Sequence, residues 1–174
     1  MASERITRIV RSLRNFARLE EADFQEADIH EELESTLALL RLEKKDRIKI
    51  VKEFGEIPKI QCHPNQLNQV FMNILVNASR AIRERGTITI RTSKKDDRII
   101  VSISDDGEGI KEENLKRIYD PGFTTRGVGV GTGLGLSISY RIIKNHGGEI
   151  QVKSKVGRGS EFAITLPIKQ EKRS

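Results

Sequence analysis

The apolar residues along the chain recur with two different periods, which predicts alternating helices and strands. Leucines three and four positions apart between residues 30 and 45 predict a helix, and a longer stripe with the same spacing predicts another from Pro64 to about Arg85. A third long helix is predicted over residues 134–146, where the glycine pair that follows would end it. Residues 111–118 are expected to form a short helix.

Strict alternation of apolar and polar residues predicts strands elsewhere in the chain. The predicted strands cover residues 48–54, 60–62, 87–93, 99–104, 149–154 and 160–167. The third and fourth flank a charged turn and are expected to form an antiparallel hairpin, and the last two flank a turn at residues 156–159. Because both periods occur along one chain, the pattern indicates an α+β fold rather than an all-α fold.

The N-terminal segment is basic and amphipathic. Over residues 5–22, apolar positions three and four apart alternate with arginines, which predicts a helix whose apolar side needs a partner helix. The acidic run over residues 20–28 is expected to be a connector, with Asp28 capping the helix that follows it. The chain is therefore expected to hold one mixed domain preceded by a helical segment.

Size, charge and cysteine content narrow the class of protein. A chain of 174 residues with one cysteine and no apolar run long enough to cross a bilayer is expected to be soluble, cytoplasmic and without membrane contact. Its net charge of +6 is compatible with nucleic-acid binding. However, the basic residues are spread out, without interleaved aromatics or a zinc motif, so solvated helix faces and a site for a polyanionic nucleotide explain them better.

Two asparagines and an arginine fall on one side of the second predicted helix. Asn73, Asn77 and Arg80 are spaced i, i+4 and i+7, next to the apolar stripe. Because asparagine is a poor helix former, a pair in mid-helix needs a reason. Either a carboxamide oxygen coordinates Mg²⁺ while Arg80 holds phosphate, or both asparagines are exposed or cap a neighbouring loop. The glycine motifs that follow favour the first interpretation.

The motif Asp105-Asp-Gly107-Glu-Gly109-Ile110 follows a predicted strand. A carboxylate at a strand end can accept a hydrogen bond from the exocyclic amine of adenine, whereas guanine offers a carbonyl oxygen there. Gly107 and Gly109 would let the backbone approach the flat base without a Cβ atom. A plain turn after a strand has a similar composition, so the motif gains weight from its position among the others.

A glycine-rich run precedes the third long helix. Five glycines stand at alternate positions from Gly127 to Gly135. Such a loop can turn successive N–H groups inward, and a helix N-terminus attracts phosphate. The run matches neither the Walker pattern nor the dinucleotide fingerprint. A lid over a nucleotide is favoured over a flexible linker, with Thr124, Thr125 and Arg126 closing over the terminal phosphate.

Taken in order, these motifs resemble those of one family. NILVNA, DDGEGI, DPGFTTR and GTGLGLSIS, followed by HGGEIQVKS and GRGSEFAITLP, are similar to the ATP-binding catalytic domain of bacterial sensor histidine kinases, within the GHKL superfamily. The resemblance covers residues 28–168 and implies a two-layer α/β sandwich of the Bergerat type, whose mixed, mostly antiparallel sheet packs on three helices. Residues 1–24 would belong to a dimerisation hairpin and linker, 25–168 to the ATP-binding domain and 169–174 to a basic tail.

The same resemblance implies a role for each motif residue. Asn77 would bind Mg²⁺, Asp105 would bind adenine, and Asn73, Arg80 and Arg126 would act on the phosphates. The other residues expected at the nucleotide are Gly107, Gly109, Ile110, Phe123, Thr124, Thr125, Gly131, Thr132, Gly133, Leu134, Gly135 and Leu136. The cofactors would be ATP, with ADP as product, and Mg²⁺.

The implied activity is transfer of the ATP γ-phosphate to a histidine on a dimerisation hairpin, with a cognate response regulator as a further partner. Hydrolytic relatives carry a water-activating glutamate at the position of Asn73, and an amide cannot take that proton. None of His30, His63 and His146 lies in the family's acceptor context, so the acceptor is expected on a hairpin that is incomplete here. A switch or serine kinase of the anti-sigma-factor type is the alternative, which the hairpin-like N-terminal segment disfavours.

Overall fold

The computed structural model describes Val10 and residues 24–42, 46–123 and 135–171. The strands and helices of these ranges are β1 Gln25–Ala27, α1 Ile29–Leu40, β2 Ile48–Phe54, β3 Ile60–Cys62, α2 Pro64–Ala81, β4 Gly86–Lys95, β5 Arg98–Asp105, α3 Glu112–Leu115, α4 Gly135–Asn145, β6 Glu149–Lys155 and β7 Gly159–Pro167. Apart from Val10, the helix predicted over residues 5–22 lies outside the described residues, and so do Thr124, Thr125, Arg126, Gly131, Thr132, Gly133 and Leu134.

Five strands form one mixed sheet in the order β2-β4-β5-β7-β6. β2 runs parallel to β4, and the other neighbouring pairs of this sheet are antiparallel. The predicted hairpin is β4–β5, but its turn is only Asp96 and Asp97, so the flanking lysines and arginine belong to the strands. The predicted sandwich with a mostly antiparallel sheet is confirmed.

Helices α1, α2 and α4 pack with this sheet around a single core. The apolar stripe of α2 is buried as predicted, with Leu67, Phe71 and Leu75 inaccessible to solvent. These side chains belong to the same core cluster as alternate residues of the central strands, such as Ile88 and Ile103. Because burial of the stripe fixes the rotation of α2, its polar residues are held along the edge of the core.

The first helix begins where predicted and ends earlier. Asp28 accepts hydrogen bonds from the backbone N–H groups of His30 and Glu31, which confirms it as the N-cap. α1 ends at Leu40 rather than near residue 45, because Arg41 adopts a left-handed conformation with φ 49°. Leucine spacing continues past that point, so the apolar pattern alone does not show the end of the helix.

The second long helix also ends earlier, at Ala81 rather than near Arg85. Ile82 has an extended backbone and a buried side chain, so the helical conformation ends at a residue that packs into the core. The guanidinium of Arg47 then donates hydrogen bonds to the carbonyl oxygens of Ser79, Ile82 and Arg83. Because this cap comes from a distant part of the chain, the sequence around residue 81 does not indicate it.

The short helix α3 covers fewer residues than the predicted range 111–118.

The predicted connector at residues 20–28 contains a strand. β1 pairs antiparallel with β3 in a separate two-stranded sheet. Gln25, Glu26 and Ala27 show no apolar alternation, so this strand depends on its partner rather than on its own sequence. The expected connector therefore contains a short strand that the sequence did not predict.

The histidines of the domain make structural contacts. His30 Nε2 lies 2.7 Å from Thr92 Oγ1. His146 is only 2% exposed, and its Nε2 accepts a hydrogen bond of 3.1 Å from the backbone N–H of His63. Burial lowers the pKa of His146, which favours the neutral ring that this acceptor role requires. That none of the three is a phosphate acceptor stays a prediction.

Candidate nucleotide-binding site

Asp105 is the last residue of β5 and is buried, with 8% of its surface exposed. Burial raises the pKa of its carboxyl group, and the charges of Asp106 and Glu108 add to this, while hydrogen bonds from the Gly107 and Ser160 N–H groups lower it. The Gly107 bond to Asp105 Oδ1 is 2.9 Å long. Two N–H donors leave acceptor sites of a carboxylate unused, so this group can accept a further hydrogen bond from a ligand.

The loop after Asp105 lies too close to its neighbours for side chains at two of its glycines. A Cβ atom on Gly107 would lie 2.5 Å from the carbonyl oxygen of Ala81, at the end of α2. Gly109 has φ 75°, and a Cβ atom there would lie 2.2 Å from the carbonyl oxygen of Lys155. The sequence predicted both glycines for approach to a base. In the structure they also allow the loop to pack between α2 and the β6–β7 turn.

Hydrogen bonds hold the same loop from both sides. The Glu108 N–H donates to the carbonyl oxygen of Ala81 at 2.9 Å, and the Gly157 N–H donates to the carbonyl oxygen of Glu108 at 2.8 Å. The Ile110 N–H donates to Ser154 Oγ at 2.7 Å. These hydrogen bonds hold the loop after Asp105 in a fixed position relative to the end of α2.

Replacing Gly109 by alanine is expected to displace this loop and weaken nucleotide binding. Gly147 is the matched control: its φ is 72°, so alanine meets similar backbone strain, yet a Cβ atom there would lie 3.7 Å from its nearest neighbour, an ordinary contact. We expect Gly109→Ala to raise the ATP Kd roughly tenfold, about 1.4 kcal/mol, and to lower Tm more than Gly147→Ala does. Calorimetry and thermal melting measure both, and equal effects of the two variants would contradict a clamped loop.

The polar side of α2 presents its two asparagines differently. Asn73 Nδ2 donates to the Gly135 carbonyl oxygen at 3.0 Å and to Ser139 Oγ at 3.1 Å, and Asn73 Oδ1 accepts from Gln69 Nε2 at 3.0 Å. Asn77, one turn further, is half-buried, and the structure gives its side chain no hydrogen bond within the described ranges. The Asn77 carboxamide is therefore available to a ligand. Arg80 is exposed at the end of the same side.

The chain positions on either side of residues 124–134 pack against the core. Phe123 is half-buried in contact with the core, and the Arg117 guanidinium lies 4.6 Å from the centre of its ring. Leu136 is also half-buried against the core, in the first turn of α4. Gly135 therefore lies beside Asn73 of α2, and Phe123 and Leu136 pack against the core, while the rest of the predicted glycine motif is outside the described residues.

Sequence reasoning missed three residues that build the site. Arg47 caps α2, Ser139 contacts Asn73, and Ser154 holds the loop at Ile110. Each acts on a residue far away in the chain, so neither periodicity nor a motif could have found it.

A magnesium ion fits the donors of this site. In the part of the chain that the structure describes, no group of three or more acidic, histidine or cysteine side chains could hold a metal. Mg²⁺ accepts one or two protein oxygens and completes its shell with phosphate and water oxygens, so one carboxamide oxygen beside a nucleotide is sufficient.

Across the same described ranges, no helix is both long and apolar enough to span a bilayer.

Comparison with known proteins identifies the family. The profile of the histidine kinase-, DNA gyrase B- and HSP90-like ATPases matches residues 62–170. The chain belongs to this family. It is 44% identical over 118 residues to sporulation kinase E of Bacillus subtilis, and 34% identical over 169 residues to sensor histidine kinase ZraS of Escherichia coli. These matches cover 66% and 95% of this chain but only 15% and 36% of the two relatives, so it spans a minor part of each kinase.

Solved structures agree with this assignment. The nucleotide-free catalytic domain of histidine kinase ThkA is 32% identical, with a TM-score of 0.77 over 87% of this chain and 99% of that domain. Full-length ShkA in complex with AMPPNP is 26% identical, with a TM-score of 0.81 over 95% of this chain and 36% of ShkA. ThkA in complex with response regulator protein TrrA is also 26% identical, with a TM-score of 0.78 over 98% of this chain and 50% of the ThkA chain. The predicted family and fold are confirmed, and the domain is the ATP-binding catalytic domain of these kinases.

Proposed function

We propose that this chain is the nucleotide-binding part of a two-component sensor histidine kinase and transfers the γ-phosphate of ATP to a histidine on a dimerisation hairpin. The proposal is supported by one observation: two segments that carry polar motif residues contact each other in this family's fold. The loop after Asp105 is bonded to the end of α2, the helix that presents Asn77. An adenine anchor and a metal ligand on one rigid unit suit a single bound Mg·ATP.

Asp105 is the proposed adenine anchor. Its carboxyl group is buried and already accepts one hydrogen bond from Gly107, which fixes its orientation. Exocyclic amine N6 of adenine donates a hydrogen bond to such an acceptor, whereas O6 of guanine cannot. ATP is therefore expected to bind in preference to GTP.

Asn77 is the proposed magnesium ligand, and Arg80 is the proposed phosphate ligand. When bound, Mg²⁺ neutralises charge on the phosphates of ATP and holds them in one orientation. Arg80 lies near the end of α2, and its exposed guanidinium is free to form charge-assisted hydrogen bonds with phosphate oxygens. Arg126 and the amides of the glycine motif are expected to complete the contacts.

The proposed reaction is an in-line displacement at the γ-phosphorus. A nitrogen of the acceptor histidine forms a bond to phosphorus as the bond to the β–γ bridging oxygen breaks, and ADP leaves. Asn73 stands where hydrolytic relatives have a glutamate, and an amide takes no proton from water. Catalysis at this site is therefore expected to depend on orientation rather than on activation of water.

The partners and the compartment follow from the proposed role. We expect the acceptor hairpin to belong to the same or the full-length kinase, and we expect a cognate response regulator to take the phosphate from it. The complex of ThkA with TrrA supports a response regulator as partner. ATP supply and regulator phosphorylation both require the cytoplasm, and we expect neither nucleic acid nor membrane to contact residues 25–168.

The proposal is tested by mixing the whole chain with Mg²⁺, γ-³²P-labelled ATP and the separately produced dimerisation hairpin of sporulation kinase E. We expect an acid-labile, alkali-stable label on the hairpin, and no label when its acceptor histidine is replaced by glutamine. Acid-stable label on a serine would support the anti-sigma-factor type of kinase instead. ATP binding without any transfer to several such hairpins would contradict a kinase role.

A further inference from the structure

Asn73 joins the nucleotide helix α2 to the first turn of α4 through a closed set of hydrogen bonds. Its Nδ2 atom donates to both the Gly135 carbonyl oxygen and Ser139 Oγ, at 3.0 and 3.1 Å. The Ser139 hydroxyl in turn donates to the same carbonyl oxygen, at 2.8 Å. Three atoms, from Asn73, Ser139 and Gly135, thus share three mutual hydrogen bonds.

The orientation of the Asn73 amide is fixed by its partners. A carbonyl oxygen only accepts, so the atom that faces Gly135 must be the NH₂ group and not Oδ1. The single hydroxyl hydrogen of Ser139 points to Gly135, which leaves Ser139 Oγ free to accept from the same NH₂ group. The two acceptors lie 2.8 Å apart, so the NH₂ group of Asn73 faces them together. Asn73 Oδ1 accepts from Gln69.

Burial makes these bonds costly to break. Ser139 has no exposed surface, and Asn73 is half-buried between the two helices. A buried polar group that loses its partner costs free energy, because no water replaces the lost bond. Movement of Asn73 toward a phosphate would remove the N–H donor of Ser139 Oγ and leave the Gly135 carbonyl with the Ser139 hydroxyl as its side-chain donor.

We infer that Asn73 and Ser139 are positioning residues, which set the start of α4 against α2. This inference rests on the proposed ATP site and refines the predicted role of Asn73. In the sequence, Gly135 is the last glycine of the GTGLG motif. The contact therefore fixes one end of the segment that the family motif assigns to the polyphosphate, beside the helix that carries Asn77.

A double-mutant cycle on the whole chain tests the inference. We expect Ser139→Ala to raise the Kd for ATP about fivefold and Asn73→Ala about tenfold, with the double variant no worse than Asn73→Ala alone. The Kd for adenosine should stay unchanged in all three, because the contact acts on the phosphate end. Additive effects, an unchanged Kd for ATP in Ser139→Ala, or a parallel loss of adenosine affinity would each overturn the inference.

Ser102→Ala is the matched control. Ser102 is a buried serine on β5 whose Oγ donates to Glu161 Oε1 at 2.9 Å, away from the two helices. Its loss should lower Tm while leaving the Kd for ATP unchanged. Loss of ATP affinity in this variant would show that Kd follows general stability, and would overturn a positioning role for Ser139.

Hydrogen exchange in the unmodified chain tests the same inference without a variant. We expect at least one side-chain N–H signal of Asn73 to be protected from exchange, both with and without bound Mg·ATP. Protection that appears only with nucleotide would show that Gly135 and Ser139 do not hold the amide, and would overturn the inference. Failure of the unmodified chain to bind ATP at all would instead contradict the proposed function.

Discussion

Replacing Asn77 by alanine is expected to abolish most of the Mg²⁺-dependent affinity for ATP and to leave the fold intact. The side chain is half-buried, and the described part of the chain offers it no hydrogen-bond partner, so little stability depends on it. A lost contact with a charged group is worth about 1.5–3 kcal/mol, which corresponds to a rise in Kd of roughly 10- to 150-fold. Titration calorimetry with ATP, in Mg²⁺ and in EDTA, measures the effect.

Asn65 provides a matched control on the same helix. It is exposed in the first turn of α2, about 18 Å from Asn77 along the helix axis. Asn65→Ala should bind Mg·ATP like the unmodified chain. If Asn77→Ala binds Mg·ATP as tightly as Asn65→Ala does, Asn77 is not the metal ligand.

Replacing Asp105 by asparagine is expected to remove the preference for adenine. Asparagine keeps one acceptor oxygen and gains an NH₂ donor, which can pair with O6 of guanine. We expect the ATP Kd to rise roughly tenfold and the ratio of GTP to ATP Kd to approach one. Asp96→Asn, which removes a carboxylate at the exposed β4–β5 turn, should leave both values unchanged. Equal affinity of the unmodified chain for the two nucleotides would contradict the assignment.

The same substitution is expected to stabilise the fold at neutral pH. Burial raises the pKa of Asp105 above its unfolded value, so the folded chain holds this proton more tightly. Stability from this group is therefore greatest below the unfolded pKa and falls as the pH rises through the folded pKa. Asp105→Asn should raise Tm at pH 7 and have a smaller effect near pH 3, where the carboxyl group is protonated in both states. An equal change in Tm at the two pH values would contradict a raised pKa.

The regular elements of this fold could largely be predicted because their signals are local. The buried stripe of α2 and the alternation in β4 to β7 lie within short windows of sequence. The parallel pairing of β2 with β4 could not be predicted, since it depends on an intervening helix and on the core that both strands share. β1 and the early end of α2 depend likewise on distant partners.

The candidate site shows the same division between residue identity and geometry. The ordered motifs pointed to Asn73, Asn77 and Asp105 because those residue types recur at set places in one family. The sequence could not show what each amide contacts, since the Asn73 side chain forms a hydrogen bond with Ser139, which lies 66 positions away. A motif therefore names the residues, and only the fold shows which of their atoms remain available to a ligand.

The central claim is that the Asp105 loop and the polar side of α2 bind one Mg·ATP between them. A crystal structure of the whole chain with Mg²⁺ and a non-hydrolysable ATP analogue tests it most directly. The account predicts adenine N6 at about 2.9 Å from a carboxyl oxygen of Asp105, and the metal at about 2.1 Å from Oδ1 of Asn77. A nucleotide bound elsewhere, or a metal held without Asn77, would contradict it.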